Sequence, residues 1–240
     1  MRSSMYDCLI LAGGLGTRLR TVVSEVPKPM AEISGRPFLE WQIDYLKSQG
    51  VHRVVLSVGY KSEIIKRHFG NNYNQVSISY SEETTPLGTG GALFKALAHI
   101  TTDSFYLING DTFFPIDLKL FNERYAELDF PDLLMATFKA NISDRYGALK
   151  VDENTGEFLS LESSKSRIGQ TANGGVYLFS KRKLEELSYL IHSNTPYSLE
   201  DAILPMLKNI KAKAFCKEFN NTLLDIGTPD DYFKANFLLN

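Results

Sequence analysis

Residues 9–30 of the 240-residue chain read LILAGGLGTRLRTVVSEVPKPM. Gly13, Gly14 and Gly16, then Arg18, then Lys28 between Pro27 and Pro29, follow directly on an apolar run. Glycine lets backbone N–H groups come close to an anion and adopt dihedrals closed to other residues. An arginine fork matches phosphate oxygens, and flanking prolines stiffen the backbone that carries the lysine. Together they suit a triphosphate better than a plain glycine turn with basic residues facing water. No Gly-Lys-Ser/Thr follows, so the stretch is not a P-loop, and its glycines do not space as G-x-G-x-x-G.

Two carboxylates could complete such a site. Asp111 ends the run SFYLINGD, and Asp225 ends TLLD ahead of IGT. A hard cation such as Mg2+ takes carboxylate oxygens and leaves the rest of its shell to substrate phosphates. His52, His68, His99 and His192 are scattered and form no competing metal motif.

The elements that must hold these residues follow from periodicity. YDCLILA (6–12) reads as a buried strand ending in glycines. FLEWQIDYLKSQG (38–50) is helical and ends at Gly50; VHRVVLSVGY (51–60) is a strand; KSEIIKRHFG (61–70) is a helix. VSISYSEE (76–83) is a strand, GTGGALFKALAHI (88–100) turns helical, and SFYLINGD (104–111) is a strand. This β-α-β-α-β-α-β beat predicts a parallel sheet with helices on both faces, and ligands in such sheets sit beyond the carboxyl ends of the strands. The second half predicts a helix at DLKLFNERYAEL, strands at DLLMATFKA, GALKVDENTGEFLSLE and ANGGVYLFS, and a helix at KRKLEELSYLI. It continues with a helix over SLEDAILPMLKNI broken near Pro205, a strand at KAKAFCKEF, and a last helix capped by Thr228 with Pro229 at its first position. The fold class is α/β, a Rossmann-like three-layer α/β/α arrangement with a mostly parallel mixed sheet. A single domain over 1–240 is predicted.

Composition bounds the partners. The chain is 43% hydrophobic and 22% charged with net charge −2, which implies no nucleic acid and no membrane surface as partner. No apolar run approaches the roughly 20 residues of a membrane span, and the N-terminus lacks a signal-peptide cleavage pattern. The two cysteines, Cys8 and Cys216, make neither a disulfide framework nor a zinc pattern, which points to the cytoplasm.

LAGGLGTRLRTVVSEVPKPM resembles the signature of sugar-1-phosphate nucleotidyltransferases, which join a nucleoside triphosphate to a sugar 1-phosphate and release pyrophosphate. The likeness continues in order through PLGTGGAL (86–93), NGDT (109–112), NGGVYLF (173–179), SLEDAILP (198–205) and LLDIGTPDDY (223–232). The resemblance implies that Arg18, Lys28, Asp111 and Asp225 are catalytic, with both aspartates holding Mg2+. It implies a nucleotide site of Leu11, Gly13, Gly14, Gly16, Thr17, Gly88, Thr89 and Gly90 within residues 1–112. It also implies a sugar-phosphate site of Tyr146, Gly147, Glu162, Lys165, Asn173, Gly174 and Glu200 within 113–240. The family's Glu-Lys motif is altered here: Glu162 fits the glutamate, Ser163 stands where the lysine would be, and Lys165 or Arg167 is the candidate replacement.

The thymidylyl branch places a glutamine where Gly91 stands; the resemblance therefore reads the glycine as room for a purine, with Glu82 or Glu83 as candidate acceptors for guanine. The short chain and the motifs look most like the guanylyltransferases that act on D-glycero-D-manno-heptose 1-phosphate, which would supply GDP-heptose for bacterial surface polysaccharide. Mannose-1-phosphate guanylyltransferases and uridylyltransferases are the alternatives within the class. A catalytically inactive nucleotide-sugar-binding module is the alternative outside it. No C-terminal β-helix domain is expected.

Overall fold

The computed structural model describes residues 6–14, 16, 19, 22–143, 145–163, 165–192 and 195–239. β1 (Asp7–Leu11) leads through the glycine loop to a 3-10 turn at Lys28–Met30 and a small hairpin, β2 (Glu32–Ile33) and β3 (Arg36–Pro37). Then come α1 (Phe38–Ser48), β4 (Arg53–Val58), α2 (Ser62–Phe69), β5 (Asn72–Tyr73), β6 (Val76–Glu82), α3 (Gly88–Ala96) and β7 (Ser104–Asn109). The second half runs β8 (Thr112–Phe113), α4 (Leu118–Glu127), β9 (Leu133–Lys139), β10 (Ala148–Val151), β11 (Phe158–Ser163), β12 (Thr171–Ser180) and α5 (Lys181–Ser188). It closes with α6 (Leu204–Asn209), β13 (Ala214–Glu218), β14 (Leu224–Asp225) and α7 (Pro229–Leu238).

β1 lies at the centre of the sheet, parallel to β4 on one side and β7 on the other, and β6 extends the parallel set beyond β4. Because strand side chains alternate, β1 feeds two cores. Cys8 and Ile10 pack among Leu39, Ile43 and Leu46 of α1 and Ile65 and Phe69 of α2. Leu9 packs on the opposite face, among Leu93 and Ala96 of α3 and Leu184 and Leu187 of α5. That alternation makes the three layers. A third cluster ties Leu19, Ile33 and Phe38 to Ile226 and Ala235, so it draws the end of the chain against the glycine loop.

The sheet changes direction at β12, which is antiparallel to both β7 and β9. A break in register between Asn173 and Tyr177 divides β12. Its later half pairs with β7, Val176 opposite Ile108, whereas near its start Ala172 faces Ala148 of β10 instead. Gly174 and Gly175 sit at the break, and Gly175 has φ +70°, which favours glycine.

The predicted elements appear close to their predicted limits, with one physical difference. The irregularity in SLEDAILPMLKNI comes before Pro205: Leu199–Ile203 forms a π-helical turn, and Pro205 lies in the first turn of α6, where its missing N–H costs nothing. Thr228 caps α7 as expected, its hydroxyl accepting from Asp231 N. Both cysteines are free and buried, and burial pushes the Cys216 thiol up to about 12.

Candidate active site

β1, β4, β6 and β7 end at the same edge of the sheet, and the segments that follow β1, β6 and β7 build a cavity of about 510 Å³. Leu11, Gly13, Gly14, Gly16, Lys28 and Asp111 line it from one side, Gly88 and Thr89 from the start of α3 on the other. Gly110 allows the strand ends to close up: its N–H donates to Leu11 O at 3.0 Å, and a Cβ there would stand 2.4 Å from that oxygen. Gly16 has φ +58°, and a Cβ on it would sit 2.9 Å from Lys28 Cβ, so the glycine loop lies directly on the lysine side chain. Gly90 is placed differently from its neighbours: it is buried against Tyr197 and Ile203, and its N–H donates to Tyr197 O at 2.8 Å, which fixes α3 rather than the cavity wall. Thr17 and Arg18 lie outside the described residues.

Lys28 and Asp111 meet. Lys28 Nζ stands 2.6 Å from Asp111 Oδ2, the lysine side chain 10% exposed and the carboxylate 44% exposed at the cavity. Asp225 reaches the same edge by backbone pairing. β14 runs antiparallel to β8 with Asp225 opposite Thr112, and Ile226 N donates to Asp111 O at 3.0 Å. The Asp225 carboxylate accepts from Gly227 N at 2.5 Å through Oδ1 and from Arg145 Nη2 at 3.1 Å through Oδ2. Gly227 lines the first cavity and Arg145 a second one, so Asp225 stands between the two.

That second cavity, about 520 Å³, adjoins the first at Asn109, which lines both. The break in β12 opens it. Tyr146, Gly147, Asn173, Gly174, Glu162 and Glu200 all line its wall. Asn173 is held on both ends of its amide: Nδ2 donates to Tyr177 Oη at 2.7 Å and Oδ1 accepts from Gly175 N at 3.0 Å. Tyr177 Oη in turn donates to Glu200 Oε1 at 3.3 Å. Burial raises the Glu200 carboxyl above its ordinary value, and the nearby Asp201 and Asp111 charges add to this against the Tyr177 hydrogen bond. Lys165 and Arg167 are exposed and neither lines this cavity, so the structure does not bring the expected lysine replacement to it.

The two glutamates after Ser81 part company. Glu82 is exposed and spends its oxygens on Ser62 and on Lys66 Nζ at 2.6 Å. Glu83 faces the first cavity, with Oε1 accepting from Ser57 Oγ at 3.2 Å and Oε2 from Leu87 N at 2.9 Å. The room expected at Gly91 is filled: a Cβ there would stand 2.8 Å from Leu87 Cβ.

Sequence reasoning passed over Arg145, Asn109 and Tyr177. Arg145 Nη2 contacts the carboxylates of both Asp225 and Asp231. Burial works against its charge, but the two aspartates prevail and hold the guanidinium protonated beyond its ordinary range. Arg145 adjoins Tyr146 in the sequence, which was the available signal.

Asp111, in the turn between β7 and β8, and Asp225, at the end of β14, supply oxygen donors at the same sheet edge, a set that fits a hard divalent cation. Among the described residues no group of three or more Asp, Glu, His or Cys gathers around a metal position. Such an ion would therefore draw the rest of its shell from phosphate and water.

The nucleotidyl transferase family model matches residues 7–240. The D-glycero-alpha-D-manno-heptose 1-phosphate guanylyltransferase of Campylobacter jejuni is 38% identical over 98% of this chain and 99% of its own. The enzyme of the same name from Aneurinibacillus thermoaerophilus is 40% identical over 95% of this chain and 96% of its own. The crystal structure of HddC from Yersinia pseudotuberculosis complexed with GMP-PN superposes with a TM-score of 0.83 at 36% identity, covering 98% of this chain and all of that one. A glycine loop on a sheet edge, two adjoining cavities, and a family match across nearly the whole length lead to one assignment: the chain belongs to the nucleotidyl transferase family.

Proposed function

We propose that the chain transfers GMP from GTP to a sugar 1-phosphate, D-glycero-α-D-manno-heptose 1-phosphate, giving GDP-heptose and pyrophosphate. The observation that carries this reading is the pair of adjoining cavities meeting at Asn109, with Lys28 and Asp111 at the first and Asp225 beside both. One cavity suits a nucleotide and the other a phosphorylated sugar. The near full-length relatives act on this donor class and acceptor by name.

The acceptor phosphate oxygen is already an anion, so attack on the α-phosphorus needs no strong general base. The barrier lies in bringing polyanions together and in holding charge as pyrophosphate leaves, which is work for positioning and electrostatics. The glycine-loop amides and Arg18 hold the β- and γ-phosphates, and Lys28 neutralises the α-phosphate. Asp111 and Asp225 would hold Mg2+, which when bound neutralises phosphate oxygens. Glu83 receives the guanine N1–H and N2 amine, since an ionised carboxylate only accepts hydrogen bonds and guanine presents two donors there. Asn173 and Glu200 take sugar hydroxyls, held in place by Tyr177.

A matrix of purified protein with each nucleoside triphosphate against heptose, mannose and glucose 1-phosphates tests the reading, with pyrophosphate release as the readout. GTP with heptose 1-phosphate should give the highest kcat/KM. Faster turnover with UTP or dTTP would refute the guanylyl assignment, and no release from any pair would favour a binding module.

A further inference from the structure

The wall of the second cavity carries more negative than positive charge, although its proposed ligand is an anion. Three carboxylates line it, Glu162, Glu200 and Asp201, and among the described lining residues Arg145 is the one cation. A phosphate dianion entering such a wall needs a fixed positive partner, because an unpaired charge out of water is costly. The position that carries a lysine in the resembling family is Ser163 here, and Lys165 is exposed and does not line the cavity.

Arg145 is built to take that place. Its guanidinium reaches two carboxylates through one nitrogen, Nη2, and its buried Nε has no hydrogen-bond partner among the described residues. The two anchors differ. Asp231 is 8% exposed, sits in the first turn of α7 and is tied by Thr228 Oγ1, so it is a fixed post. Asp225 is also one of the two oxygen donors suited to a divalent cation. Were Asp225 to hold such an ion, Arg145 would keep Asp231 as its fixed partner. A guanidinium carries five N–H donors in a planar fork, enough to keep Asp231 and still grip a phosphate.

We propose that Arg145, positioned by Asp231, is the cation that binds the phosphate of the sugar 1-phosphate in the second cavity. This rests on the acceptor being a sugar 1-phosphate, as proposed above. Arg145 touches substrate, and Asp231 is a positioning residue that acts through it.

Calorimetric titration of heptose 1-phosphate and of phosphate-free heptose, with Mg2+ present, gives the ratio of the two affinities. Arg145→Gln should cut that ratio about 10–100-fold, the weight of charge-assisted hydrogen bonds, while GTP affinity stays within about twofold. Asp231→Asn keeps the arginine and the side-chain volume, and reads the same ratio should Arg145→Gln not fold; a loss of several-fold is expected. In turnover, both variants should raise KM for the sugar phosphate and leave KM for GTP in place. An unchanged ratio in the variants, or a larger fall in Lys165→Gln than in Arg145→Gln, overturns the assignment. A wild-type protein that binds heptose 1-phosphate no better than heptose overturns the proposed acceptor itself, and this assignment with it.

Discussion

Glu200 shows how a single buried side chain in the wall of the second cavity can act at the expense of stability. Burial disfavours its ionised form, so its folded-state carboxyl titrates above the ordinary value of 4.5. The folded protein therefore holds this proton more tightly than the unfolded chain does, and stability falls as pH climbs from 4.5 through the raised value. Glu200→Gln removes that titration. The variant should melt at nearly the wild-type temperature in acid and at a higher one at neutral pH, followed by circular dichroism across a pH series. Its KM for the sugar phosphate should rise at least about tenfold, from the lost charged acceptor. A lower melting temperature at neutral pH would contradict the account. Glu82 and Glu83 illustrate what the residue scale conceals: both are plain glutamates in the sequence, and only their neighbours at the end of β6 separate the exposed one from the one in the cavity. Arg145 was less legible still, because its meaning comes from carboxylates 80 and more positions away.

At the scale of elements, the ends of β1 and β7 must come together for the glycine loop and Asp111 to share a cavity, and Gly110 is what permits it. Gly110→Ala would push a methyl to within 2.4 Å of Leu11 O, where the neighbour is backbone and cannot swing aside. Loss of about 1–3 kcal/mol in chemical denaturation is expected. A fall in kcat/KM of at least about 10²-fold should accompany it, since small misplacements are amplified at such sites. A variant with wild-type stability and rate would refute the close approach. The longer strands and the helices of the first half were readable from periodicity, because β1, β4 and β7 are buried almost throughout, β6 alternates buried and exposed side chains, and α1 and α2 each have one apolar side. The two-residue strands β8 and β14 left no periodic trace. They exist because Thr112 and Asp225 pair across the fold, yet this pairing is what delivers Asp225 to the site. Likewise the π-helical turn at Leu199–Ile203 was read as a break at Pro205, the one residue there with a known breaking effect.

Across the whole molecule, the parallel and antiparallel parts are joined through the β7–β12 seam, with five register pairs from Val176–Ile108 to Ser180–Ser104. The first cavity is built mainly by residues 11–111, but Gly227 completes its wall, and Asn109 and Thr112 enter the wall of the other cavity. The sequence order of motifs hinted at two successive halves; in space, each half finishes the other's pocket. The alternation of β1 side chains carries one more consequence. Cys8 is locked inside the central strand, and Cys216 lies in β13 at the far side of the sheet, so the chain holds one native thiol reporter on each flank of that seam. Iodoacetamide should leave the native enzyme unlabelled and active, and should modify both thiols only as fast as the molecule opens. Mass spectrometry of the two cysteine peptides under mild urea would then time the unzipping of each flank separately, with no engineered probe required.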